Sequence, residues 1–385
     1  MSRLLNDIKV NKDLIIWARG HRNVSHNAIA KKIDVSPEEY SRIEETGIIS
    51  SLAMFEALAD KLKFPTAAFF LPAPPKEKGK VGDFRLSTDA NHEWSFEFTR
   101  VLDQVDEARK DIKEFHGVLG TPLHPELKLA SFTEDPEALG KELRKILKLS
   151  FEYQLDSKTD LFSFLRKSIE ALNIYILKLP FPRADARGFS RFDADEPTII
   201  VINSKSGKYE RNFTLLHELG HILLRASGAC IPRLDVRTGG PNLSIERWCN
   251  KFAAEFLLPK EEISREGMLI RSVKNENLEY IFGARRTYKT SGEALIFRMF
   301  DLGFIKFDEA NRITKKYSRK FKDKLSKEAD GGGDYYRKTI AQLGRRFITI
   351  VTKTHESGKI STLRAADSLG IKVDNLPQLQ KTLNK

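Results

Sequence analysis

Phe213-Thr-Leu-Leu-His-Glu-Leu-Gly-His-Ile-Leu-Leu224 is the stretch on which the reading of this chain turns. Its apolar residues recur at helical spacing, and it contains His217-Glu218-Leu219-Gly220-His221, an HExxH pattern. Residues four apart on a helix share a face, so both imidazoles can reach one Zn²⁺. Glu218 lies along the same groove, where a carboxylate can take a proton from a metal-polarised water. The pattern predicts a metal-dependent hydrolase, or a descendant of one.

A zinc site of that kind needs a third protein ligand and an open position. Ile245-Glu-Arg-Trp-Cys-Asn-Lys-Phe-Ala-Ala-Glu-Phe-Leu-Leu-Pro259 offers two glutamates on one predicted helix. At about 100° per residue, Ile245, Trp248, Cys249, Phe252, Ala253, Phe256 and Leu257 form one apolar arc. Glu246 and Asn250 sit together at its edge. Glu255 falls on the opposite side with Arg247 and Lys251, where it is expected to be solvated. Glu246 is therefore the candidate third ligand, and Asn250 the candidate partner that fixes a liganding ring. Cys249 is read as packing, because a fourth protein ligand would close the site.

Strand signals precede the HExxH helix. Ile174–Leu179 and Thr198–Ile202 are β-branched runs, and Gly188–Phe192 alternates like a hairpin partner or edge strand that an extended peptide could pair with. Helical patterns flank them at roughly 93–119, 137–149 and 160–172, and resume after Pro259. The expected fold class is multidomain: an all-α block first, then an α+β domain, then a helical C-terminal region.

The first seventy residues read as short helices over Asp13–Arg22, Ser25–Ile33, Ser36–Glu44 and Leu52–Leu62. Ser36-Pro37-Glu38-Glu39 is a helix start, with serine as N-cap, proline at the first helical position and Glu39 completing a capping box. Pro72 through Lys80, three prolines followed by alternating charge, marks a linker.

HELGH followed by Glu-x-x-Cys-Asn-x-Phe-Ala-Ala-Glu-Phe-Leu-Leu-Pro resembles the ImmA/IrrE family of metallopeptidases. That family carries alanine where this chain has Cys249. Arg187–Ser190, Pro197–Asn203, Arg211–Thr214, Ser291–Leu295 and Asp301–Ile305 resemble further segments of it, so the likeness runs over roughly 80–305. The resemblance implies a zincin-like domain in which His217, His221 and Glu246 bind zinc and Glu218 is the general base. It also implies a protein substrate, typically a helix-turn-helix repressor.

The N-terminal block resembles Xre-type helix-turn-helix domains. Ile43-Glu44-Glu45-Thr46-Gly47 is similar to the Ile-Glu-x-Gly that ends their recognition helix, with one extra residue. The resemblance implies operator DNA as a partner, with Lys31, Lys32, Ser36, Ser41 and Arg42 as contacts. A homodimer is a further expectation, and the alternative to DNA binding is a block that only packs or dimerises. The combined reading is a transcriptional regulator fused to a zinc metallopeptidase. Two alternatives stand beside it: an antitoxin-like regulator that binds DNA and a cognate toxin, its zinc structural or sensory, and a protease whose N-terminal block only recruits substrate.

Charge is unevenly placed. The 385 residues carry a formal +12, of which residues 1–72 contribute +1 and residues 306–385 contribute +10. The cationic run Arg312–Lys327 is suited to nucleic acid or an acidic partner, or to a solvated helix face. Two cysteines are too few for a disulfide framework, no apolar run is long enough for a membrane helix, and the first residues lack a signal-peptide core. A cytoplasmic protein with no membrane partner is expected. The domain layout that follows is 1–72, the helix-turn-helix block; 73–130, linker and helical connector; 131–305, the peptidase-like domain; and 306–385, the basic helical region.

Overall fold

The computed structural model of the chain describes residues 7–22, 24–74, 94–225, 228–230, 241–326 and 334–383, without the side chains of 228–230, 241–243, 323, 325 and 326. The part of the expected linker from residue 75 to 80 and the Gly331–Gly333 break lie outside the described residues. The described chain is mostly helical with a small mixed sheet, and its contacts divide it into two compact units between Val105 and Asp106.

In the first unit β1 (Ile8–Lys9) is followed by α1 (Lys12–His21), α2 (His26–Lys32), α3 (Pro37–Thr46), β2 (Ile48–Ile49) and α4 (Leu52–Leu62). Serine hydroxyls cap three of the helices. Ser25, Ser36 and Ser51 accept from the backbone N–H of Ala28, Glu39 and Met54 at 3.1–3.3 Å. Between α2 and α3 the chain turns through Asp34 at φ +60°, a left-handed position that a short polar side chain tolerates. Gly47 ends α3 at φ +68°, and a Cβ there would lie 2.3 Å from the Val10 carbonyl oxygen. Only glycine fits, and the tight passage lets β2 pair antiparallel with β1. Leu14, Ile15, Ile29, Tyr40, Phe55 and Leu58 are among the side chains that fill the core. At its margin Arg19 holds Glu44 through two bonds, 2.5 and 3.0 Å.

The second unit begins within α5 (Phe96–Leu119) and continues with α6 (Pro136–Ile146), α7 (Phe151–Leu155) and α8 (Leu161–Glu170). Next come β3 (Tyr175–Leu179), β4 (Gly188–Asp193), β5 (Glu196–Asn203), α9 (Glu210–Leu223), β6 (Gly228–Cys230) and α10 (Pro241–Leu257). The strands lie in the order β3-β5-β4-β6, with β3 parallel to β5 and the other pairs antiparallel. Almost every residue of β5 is buried, as expected of a strand covered on both faces. β4 forms a hairpin with β5, one of the two roles read from sequence. The other role, a free edge, is corrected: Gly188–Ser190 pairs with β6, so no peptide can add there.

α9 lies on this sheet, every residue from Arg211 to Leu223 buried except the half-buried Phe213. α10 packs against both α9 and α6. Beyond it run α11 (Lys260–Ile263), α12 (Gly267–Lys274), α13 (Leu278–Tyr288), α14 (Gly292–Asp301), α15 (Phe307–Ser326), α16 (Tyr335–Leu343), α17 (Arg345–Glu356), α18 (Thr362–Ser368) and α19 (Leu376–Leu383). Ala310, Ile313, Tyr317 and Phe321 of α15 join the same core as α9 and α10. α16 and α17 pack against β3, where Arg166 donates to the carbonyls of Ile176 and Ala341. Among the described residues no helix is long and apolar enough to cross a membrane.

Candidate metal centre

The site is assembled where α9 and α10 approach most closely. A Cβ built on Gly220 would lie 3.1 Å from Cys249 Sγ and 3.2 Å from its Cα, so the helices meet with almost nothing between them. Glu246 and Asn250 leave α10 on the side that faces His217 and His221. Cys249, fully buried, is the packing residue expected of it.

His217, His221 and Glu246 form the one group of three potential metal ligands among the described residues, their donor atoms all within 4.8 Å of one another. His217 Nδ1 lies 3.0 Å from Asn250 Oδ1. An amide oxygen can only accept, so Nδ1 carries the proton of the neutral ring and Nε2 presents a lone pair. That Nε2 lies 3.2 Å from His221 Nε2 and 3.1 Å from Glu246 Oε2, while Glu246 Oε1 lies 3.2 Å from His221 Nε2.

Two ring lone pairs and a carboxylate aimed at one point repel unless positive charge sits among them. Burial opposes a charge on His217, but Glu246 outweighs it and raises the imidazole above its ordinary value. Burial likewise opposes ionisation of Glu246, and the two histidines more than reverse this, holding the carboxyl well below the usual range. The donor set, two imidazole nitrogens and a carboxylate oxygen, fits a small divalent cation. Glu246 keeps 25% of its side chain exposed whereas both rings are buried, so the centre has a solvent side.

Glu218 is wholly buried beside the cluster, its Oε2 accepting from Ser190 Oγ at 2.8 Å. Burial raises its carboxyl above the ordinary value, against the pull of both imidazoles and of Ser190. Ser190 comes from β4, and its sequence carried only the faint sign of a small polar residue at an inward-facing strand position. On the Asn250 side a cavity of about 490 Å³ opens between α9, α10, α14 and the start of α15, lined by Phe213, Asn250, Ala254, Phe297 and Phe307 among others. The Phe213 ring stacks on His217 with centroids 6.4 Å apart.

Glu255 requires a correction. It is 6% exposed, bound to the fully buried Arg298, which also holds Glu137 at 2.8 Å. Arg298 of α14, with Glu137 of α6, covers that face at Glu255, while Arg247 and Lys251 on the same face stay exposed as read from the wheel.

The candidate DNA contacts all lie in the first unit. Lys31 and Arg42 are exposed, and Lys32 is exposed with its Nζ 4.5 Å from the Phe96 ring centroid. Ser36 is engaged as the cap of α3, and Ser41 Oγ lies 3.1 Å from His26 Nε2.

Residues 169–300 match the family model of the IrrE N-terminal-like domain, Peptidase M78. The matched span holds the strands β3 to β5, both site helices and every residue of the cluster, and it supports the metallopeptidase part of the reading. No curated protein matches the chain.

Proposed function

We propose that this chain is a transcriptional regulator whose second unit is a zinc metallopeptidase acting on a helix-turn-helix repressor or partner protein. The observation that carries this reading is the convergence of His217, His221 and Glu246 on one point, with Glu218 held beside them by Ser190. Zinc at that point would supply Lewis acidity toward a water molecule and a peptide carbonyl near neutral pH. Glu218 takes the proton released by that water and returns it to the leaving amine. Asn250 keeps the His217 ring in the tautomer that offers Nε2. The neighbouring cavity, apolar along Phe213, Phe297 and Phe307, takes a bulky side chain of the substrate.

The first unit supplies operator binding in this reading. α2 and α3, joined by the tight turn at Asp34, have the order of a helix-turn-helix, and α3 presents Arg42 to solvent.

The test is to incubate the zinc-loaded full chain, wild type beside Glu218→Gln, with a proteome-derived peptide mixture and with the chain itself. New N-termini that arise with wild type alone support the proposal. No cut by either protein, with repression of its own upstream region unchanged by Glu218→Gln, would favour the antitoxin-like reading instead.

A further inference from the structure

Part of the basic surplus of the chain lies on one helix. α15 spends its apolar side on the core, where Ala310, Ile313, Tyr317 and Phe321 are buried. Its opposite side is cationic and exposed. Arg312 and Lys316 are paired with Glu276, and Lys320 with Glu279. Lys315, Arg319 and Lys322 are exposed and have no acidic partner among the described residues. At about 100° per residue these three fall within about 60° of one another, and at 1.5 Å of rise they stand roughly 5 Å apart along the axis.

We propose that this stripe of α15 binds the phosphate backbone of duplex DNA. The inference rests in part on the DNA-binding reading of the first unit, because the first 72 residues carry only +1 while residues 306–385 carry +10. Phosphate attraction, which supplies most sequence-independent affinity, therefore has to come from the second unit. Duplex DNA presents a negative charge about every 1.7 Å of axis, so a row of cations at any close spacing finds partners. A membrane surface fits less well, because an interfacial helix buries an apolar face in lipid and that of α15 is already buried in protein.

The experiment measures the full chain binding two duplexes of equal length, one from upstream of its own coding sequence and one with that sequence scrambled, across a range of salt. K315Q/R319Q/K322Q is expected to weaken binding to both duplexes at least tenfold at ~0.1 M salt, and to make log K against log salt shallower by about 2 to 3. K315R/K322R, which keeps the charge, is expected to bind like wild type. Unchanged zinc content and circular dichroism of the triple variant separate a charge effect from misfolding. A triple variant that binds both duplexes as wild type does, or a wild type that binds neither, overturns the assignment. Equal binding of the two duplexes by wild type overturns the operator reading of the first unit alone.

Discussion

Gly220 and Cys249 are in direct contact across the α9–α10 interface, and each of His217, Glu218, His221 and Glu246 at the candidate metal position lies within one helical turn of one or the other. An added methyl group at Gly220 would meet Cys249 Sγ, Cα and Cβ at 3.1–3.2 Å. Replacing a mid-helix glycine by alanine gains about 1 kcal/mol in propensity, and overpacking costs about 1–3 kcal/mol. Gly220→Ala is therefore expected to melt within a few degrees of wild type but to bind zinc at least tenfold more weakly, because a few tenths of an ångström between the helices misplace Glu246. Cys249→Ala should keep one zinc per chain. Competition with a chromophoric chelator reads both results.

His217→Ala, His221→Ala and Glu246→Ala should each lose the metal, and Glu218→Gln should retain it. Asn250→Ala should weaken zinc binding by about 10- to 100-fold, since it removes the acceptor that fixes the His217 ring. Elemental analysis after dialysis decides the matter; full occupancy in Glu246→Ala would refute the third ligand.

Ser190→Ala tests positioning without touching the metal set. Ser190 Oγ donates to Glu218 Oε2, so its loss removes a bond that orients the carboxylate. The expected outcome is unchanged zinc content with kcat down by about tenfold, a loss of ~1.4 kcal/mol of transition-state stabilisation, and KM little altered. Ser190→Thr, which keeps a hydroxyl, should recover part of it. Equal kcat in Ser190→Ala and wild type would remove Ser190 from the mechanism.

In the first unit Glu44 is held below its ordinary value: burial works to raise it, and the Arg19 bonds more than offset this. A lowered carboxyl contributes stability above its unfolded value of about 4.3, and the contribution fades as pH falls through the folded value. Glu44→Gln should cost about 2–3 kcal/mol at pH 7. The gap to wild type should narrow steadily below about pH 4. Hydrogen exchange of α1 and α3 in the full chain reports it; a gap that widens toward acid would contradict the assignment.

Much of the centre was legible because helical spacing is local information. His217, His221, Glu246 and Asn250 each follow from counting residues along one helix, and the apolar arc of α10 told which side faces inward. Ser190 was not legible in its role. Its bond to Glu218 depends on how β4 registers against α9, a relation fixed by tertiary packing. Glu255 was misread for the same reason: a wheel shows the apolar arc of α10 but cannot show that Arg298 of α14, held by Glu137 of α6, reaches the opposite side at Glu255 alone, leaving Arg247 and Lys251 exposed. β6 escaped because Gly-Ala-Cys has no strand propensity. It is a strand only because β4 offers it backbone partners.

The helices laid along β3 bear on what could be lost from this protein. Among the described residues β3 has a strand on one side only, and on the other the backbone meets α16, α17 and the guanidinium of Arg166, itself anchored to Ala341. A premature stop after Ser326 would strip that cover, bare a row of backbone donors and acceptors, and leave Arg166 short of an acceptor in the interior. Such a chain would keep every residue of the candidate metal cluster, yet it would carry an adhesive margin open to pairing with another molecule. The span 169–300 is thus poor material for transplanting by itself, and natural fusions that borrow it would have to bring a substitute cover.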